Sequence, residues 1–195
     1  MTTPRTRARG RPRNQDADQA ILNSALRLLS QHGYARMSVE SVAERAGVGK
    51  STIYRRHASK EELVAAALAR LAAPEQPPDT GSTRRDLVEL LRQTHAQFQA
   101  GPGMQVVGAV LAEERDNPQL MKLLRRRVIL PRRQALRRIL ERGVQRGEVR
   151  RQIDLDAAID ALTGAYFARY VAGLPQRPTS VEPVVDAVWE GLASR

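Results

Sequence analysis

A chain of 195 residues with 42% hydrophobic content can bury a core and make one or two small domains. Only 4% of residues are aromatic and Ala, Leu and Arg abound, which favours helix over sheet, so an all-α fold is expected. The absence of cysteine excludes a disulfide framework, a thiolate metal site and a cysteine nucleophile, and a net charge of +11 predicts attraction to polyanions.

The charge is unevenly placed. Residues 1–57 hold eleven Arg and Lys against four Asp and Glu, a surplus of seven, so a polyanionic partner is expected to meet the N-terminal end. No apolar stretch follows the N-terminal arginines, and the longest uncharged run, 96–112, is interrupted by Gly, Pro and Gln. A cytoplasmic protein with no membrane partner is expected.

The arm comes first in the chain. Arg9-Gly10-Arg11-Pro12 resembles an AT-hook, in which Gly and Pro keep the backbone extended while Arg9 and Arg11 enter a narrow A·T minor groove. The competing reading of residues 1–13 is a disordered basic arm that adds charge alone. The first helix is expected to start at Asn14 as N-cap, with Ile21, Leu22, Ala25, Leu28 and Leu29 on one face and Gly33 as its stop. Ser38 caps a short second helix bearing Val39, Val42, Ala43 and Ala46. Gly47 then supplies a left-handed turn, and Val48 returns to the core. A third helix covers 50–56, and Ser59-Lys60-Glu61-Glu62 has the S-x-x-E form of a capping box opening a fourth through Leu63, Ala67, Leu68 and Leu71.

Composition shifts at APEQPPDTGS, Ala73 to Ser82, which reads as a loop and domain boundary. Residues 14–58 would then form one domain, 59–72 a connecting helix and 83–195 a larger helical domain. Helices are expected over 83–100, 104–115, 118–146, 155–172 and 181–193. Asn117 and Asp154 serve as N-caps, and Pro131 kinks or divides the third of these helices.

GVGKST within Arg45 to Leu63 poses a choice between nucleotide and nucleic acid. A P-loop needs a glycine at position 44 and a preceding strand, but that residue is Glu44 and the upstream pattern is helical. A helix-turn-helix fits instead, with Ala43 allowing close approach and Val42, Val48 and Ile53 burying the junction. The outward face of the third helix then offers Lys50, Ser51, Thr52, Tyr54, Arg55 and Arg56 to base edges and phosphates.

The stretch SVESVAERAGVGKSTIYRRHASKEEL is similar to the DNA-binding signature of TetR-family transcriptional regulators, with a match from about Ile21 to Leu68. The resemblance implies that Ser38, Thr52, Tyr54 and Lys60 touch phosphates while Lys50, Ser51 and Arg55 read base edges. His57 departs from the family, which usually has Phe or Trp there, and a neutral, half-buried histidine without a metal role is expected. The resemblance also implies a homodimer on a palindromic double-stranded DNA operator and a small-molecule effector held among the middle helices. Candidate lining residues are Phe98, Met104, Val107, Leu111, Met121, Leu124, Val128 and Phe167.

Helix 155–172 carries the stripe Ile159, Leu162, Tyr166 and Tyr170 beside small Ala158, Ala161, Ala165 and Ala168, and the last helix offers Val184, Val188 and Trp189. These faces, from Ile159 to Trp189, are candidates for the dimer interface, with packing inside one subunit as the alternative. Arg125 to Arg127, Arg132, Arg133, Arg137 and Arg138 read as a solvated arginine face, some paired with Glu113, Glu114 or Asp116. No catalytic set, cofactor or metal is expected. The rival reading is an architectural DNA binder without sequence preference.

Overall fold

The computed structural model describes residues 12–175 and 180–193; the arm residues Arg9 and Arg11 lie outside them. Ten α-helices make up the described chain: α1 Pro12–Arg36, α2 Val39–Ala46, α3 Lys50–Tyr54, α4 Lys60–Ala69, α5 Thr83–Gln99, α6 Gly103–Ala112, α7 Pro118–Leu124, α8 Leu130–Gln145, α9 Leu155–Val171 and α10 Val181–Leu192. Extended pairing among these residues is confined to an isolated bridge, Val149 to Ala193.

α1 runs through Asn14, which is therefore inside the helix and not its cap. Its regular course ends where expected, at Gly33 (φ 73°, ψ 173°), a conformation that disfavours any residue with a Cβ. α3 stops at Tyr54, two residues short of expectation.

The expected break at Pro131 takes a different form. Proline lacks an N–H and crowds the carbonyl four residues back. The chain meets this with a π-helical turn over Arg125–Ile129, in which the Leu130 N–H donates to the Arg125 carbonyl, so α7 and α8 join without a loop.

The core has two parts, and they do not follow chain order. One gathers α1 to α4 with α6, α7 and the π turn, around Ile21, Leu29, Ile53, Leu63, Leu68, Val106 and Leu124, and takes in Phe98 of α5 and Tyr166 of α9. The other gathers α5, α8, α9 and α10, around Leu87, Leu90, Ile139, Leu140, Ile159 and Val185. The N-terminal helices thus rest on α6 and α7 of the larger region, so a rearrangement of those two helices reaches the first four through packed side chains.

The 73–82 loop is tied down by Asp86, fully buried at the start of α5. Its Oδ1 accepts from the Thr80 N–H (2.8 Å) and hydroxyl (2.7 Å), while Arg142 of α8 and Arg146 at its C-terminal end stand 3.9 and 3.8 Å from Oδ2.

Candidate functional site

The α2–α3 unit is built by its caps. The Ser38 hydroxyl accepts from the Ser41 N–H at 3.0 Å while Ser41 Oγ accepts from the Ser38 N–H at 3.1 Å, satisfying two end groups at once. At the other end Gly47 is left-handed (φ 67°, ψ 32°). Its N–H and that of Val48 return to the Glu44 and Ala43 carbonyls, closing a Schellman turn.

α3 has five residues, far below the roughly 12–15 at which an isolated helix is even marginal in water. Tertiary burial holds it: Ile53 is fully buried and Val48 packs against the same core. That anchor turns Lys50, Ser51, Tyr54 and Arg55 outward, where all four are exposed, with Thr52 and Arg56 half-buried beside them. GVGKST is therefore a turn and a helix start preceded by a helix.

The structure adds restraints on this face that the sequence reading did not foresee. Lys50 Nζ pairs with Glu40 Oε1 of α2 at 2.8 Å, and this contact holds the Glu40 carboxyl below its ordinary range. Lys60, expected on a phosphate, lies over the Tyr34 ring at 4.1 Å from its centroid, and burial lowers its ammonium pKa. Ser38 is half-exposed with its hydroxyl already engaged in the cap. Glu62 reaches one residue further back than a standard capping box, accepting from the Ala58 N–H at 2.7 Å, while Ser59 Oγ accepts from the Glu62 N–H at 3.1 Å. His57 is buried at 8% exposure, deeper than expected, and its Nε2 has no hydrogen-bond partner.

Tyr34 connects this unit to the larger region. Its hydroxyl donates to Glu61 Oε1 (2.6 Å) and its backbone N–H to Glu113 Oε1 at the end of α6 (2.6 Å). Burial and the two carboxylates together raise the phenol's pKa.

A cavity of about 150 Å³ lies between α5, α8 and α9. Of the eight candidate lining residues, Phe98 and Phe167 line it. The other six lie away from it: Met104, Val107, Met121, Leu124 and Val128 are core residues packed with the N-terminal helices, and Leu111 is 52% exposed. The sequence reading missed Leu91, Thr94, His95, Ile129, Arg132, Leu162 and Tyr166. Arg132, read as part of a solvated face, is only 9% exposed. A detectable signal existed, because Arg132 continues the apolar row Val128, Ala135, Leu136 and Ile139, and His95 the row Leu87, Leu91 and Phe98.

The cavity wall is aromatic and cationic. His95 and Tyr166 rings lie 4.2 Å apart, Phe98 and Tyr166 5.8 Å, and the Arg132 guanidinium sits 4.6 Å over Phe98. Burial, followed by Arg132 and Arg169, pulls the His95 pKa down to about 4, so the ring is neutral at pH 7. Burial pulls Arg132 to about 10, which leaves it charged. A larger hollow of about 450 Å³ between α4 and α7 is ringed by exposed Glu61, Glu62, Arg126 and Arg127, whose charges water already solvates.

The expected dimer residues divide. Ile159, Leu162 and Tyr166 are 0–8% exposed within one subunit and have no surface to offer a partner, which corrects that assignment. Val184, Val188 and Trp189 are half-buried. The outer face of α9 instead presents Ala161, Gly164, Ala168 and Val171, the last 84% exposed. Much of the arginine stretch is paired: Arg125 with Glu114 (2.7 Å), Arg133 with Asp156 (3.1 Å) and Asp160, and Arg137 with Asp156 (2.5 Å). Among the described residues no group of acidic, histidine or cysteine side chains could hold a metal ion, and no helix is long and apolar enough to cross a membrane.

A capped α2, a Schellman turn and a short α3 carrying an exposed basic and hydroxylated face define a helix-turn-helix DNA-binding protein. The chain belongs to the TetR family of transcription regulators. The family model described as "Bacterial regulatory proteins, tetR family" matches residues 21–67, and "Tetracyclin repressor-like, C-terminal domain" matches 77–188. An HTH-type transcriptional regulator of Mycobacterium tuberculosis is 36% identical over 172 residues, 86% of this chain and 83% of that one. Another, YdeS of Bacillus subtilis, is 34% identical over 190 residues, covering 94% and 93% of the two chains. The fold matches that of the fatty acid degradation regulator FadR from Bacillus halodurans with a TM-score of 0.72 at 20% identity, over 96% of this chain and all of that one. Regulators of this family bind DNA and act as dimers.

Proposed function

We propose that the protein is a homodimeric repressor without catalytic activity that binds a two-fold symmetric operator and is released by a small molecule bound between α5, α8 and α9. The observation that carries the reading is the exposed α3 face held on Ile53. Lys50, Ser51 and Arg55 read base edges, and Ser38, Thr52, Tyr54 and Lys60 position the phosphates. The dimer forms through the outer face of α9, with Ala161, Gly164 and Ala168 letting the partner's helix approach closely and Val184, Val188 and Trp189 of α10 flanking them. Two recognition helices would then stand about 34–36 Å apart, one helical turn of DNA. The DNA-binding transcriptional repressor TetR of Mycobacteroides abscessus, 37% identical over 106 residues (53% of this chain, 56% of that one), supports repression.

An architectural role without sequence preference is disfavoured because Arg125, Arg133 and Arg137 are occupied by carboxylates of the same chain and offer little free charge to a phosphate backbone. Substituting Lys50, Tyr54 and Arg55 together by Ala tests the reading. Loss of sequence preference with residual salt-sensitive binding supports it, and an unchanged preference refutes it.

A further inference from the structure

Arg132 is the feature of the cavity that packing alone leaves unexplained. A buried guanidinium ordinarily carries a carboxylate partner, because an unpaired charge out of water is costly. Among the described residues Arg132 has none. Its Nε and Nη2 donate to the Leu71 carbonyl (2.8 and 2.5 Å), and Nη2 also donates to Gln97 Oε1 (2.6 Å), while Nη1 has no partner. His95, 7% exposed on the same wall, has an unpartnered Nδ1. No lining residue is acidic, and neighbouring Arg133 is occupied by Asp156 and Asp160.

The remaining wall is mostly apolar and aromatic, Leu91, Phe98, Ile129, Leu162 and Phe167, with the hydroxylated Thr94 and Thr163 beside them. A space of about 150 Å³ holds one benzene-sized group. We infer that the effector is a small organic carboxylate, an apolar body of about one ring or a short acyl chain whose carboxylate pairs with Arg132 and is seconded by His95. The planar guanidinium suits a carboxylate, which can accept two of its N–H groups in parallel. The inference rests on the reading of this cavity as the effector site.

The position also gives the anion a lever. The Leu71 carbonyl that Arg132 holds lies just beyond the last turn of α4, and Gln97, which shares Arg132, also donates to the Arg70 carbonyl at the same helix end. A carboxylate that takes Nη1 and competes for Nη2 weakens the hold of α5 and α8 on the end of α4.

The test is calorimetric titration of the full chain without DNA, using benzoate, phenylacetate and hexanoate beside their neutral amides. Each acid is expected to bind at least about tenfold more tightly than its amide, and Arg132→Met is expected to abolish that preference. Arg132→Lys, which keeps the charge without the fork, should retain part of it. An amide that binds as well as its acid overturns the inference, as does the absence of binding by all three acids. Should Arg132→Met fail to fold, the acid and amide comparison on the wild-type chain still decides. Acid binding that leaves operator affinity unchanged would refute ligand release while the ligand class stands, so the two failures are distinguishable.

Discussion

The Tyr34 backbone N–H donates to Glu113 Oε1 at 2.6 Å, joining the last turn of α1 to the end of α6 across 79 residues of chain. Adjacent Gly33 is left-handed in φ, and a Cβ there would stand 2.2 Å from that same oxygen. Gly33→Ala is therefore expected to lower stability by about 1–3 kcal/mol from backbone strain alone, more with the clash. Glu113→Ala should cost about 1–2 kcal/mol by orphaning the Tyr34 N–H. The double variant should lose less than the sum, since removing Glu113 also removes the clash. Urea denaturation of the four proteins checks this; strict additivity would mean that the two residues act independently.

Glu40 is predicted to restrain Lys50. Glu40→Gln frees the ammonium and removes a negative charge from the DNA-facing side, so operator affinity should rise and its salt dependence steepen. Fluorescence anisotropy over a salt series reads both, and a fall in affinity would show that Glu40 orients Lys50 productively.

How far the sequence disclosed this architecture depended on the kind of signal. Gly47, the caps Ser38 and Ser59, the buried Val42 and Ile53 and the half-buried Val48 were legible because each turn or cap leaves its own local mark. The cavity between α5, α8 and α9 was much less legible. Five of the eight candidates pack in the core away from the cavity, since an apolar residue at helical spacing is the same letter whether it meets another side chain or a void. Arg132 and His95 were overlooked because Arg132 was counted with its exposed arginine neighbours and not with the apolar row it continues. The stripe Ile159, Leu162 and Tyr166 was correctly seen as one helix face, but periodicity does not say whether such a face meets its own chain or another's.

Those faces make opposite predictions. Ala168→Glu places a charge on an exposed α9 position, so the subunit should fold normally while the dimer dissociates and operator affinity drops by about 100-fold or more through lost bivalency. Ile159→Ala opens a cavity in the second core and should cost about 2–5 kcal/mol with the dimer intact at low temperature. Sedimentation equilibrium with thermal melts separates the two. A dimeric Ala168→Glu protein would place the interface elsewhere.

Acidification supplies another check on the cavity. His95 faces Arg132 from α8 and Arg169 and Tyr166 from α9, and its pKa of about 4 lies below the ordinary 6.5. Between those values the unfolded chain takes up a proton that the folded chain refuses, so stability is full above pH 6.5 and falls as pH drops toward 4. His95→Gln should flatten that part of the curve, as read from melting temperature between pH 7 and pH 5. Parallel curves would mean that His95 is solvated and the cavity wall open.

The central claim, a two-fold operator reader, is tested most directly by selecting bound duplexes from a random DNA library with the purified full chain at about 150 mM salt, where binding to phosphates alone is weak. The account predicts enrichment of one site with two inverted half-sites about 10 base pairs apart, centre to centre, or a multiple of that spacing. Recovery of unrelated sequences, with binding that simply fades as salt rises, would contradict it.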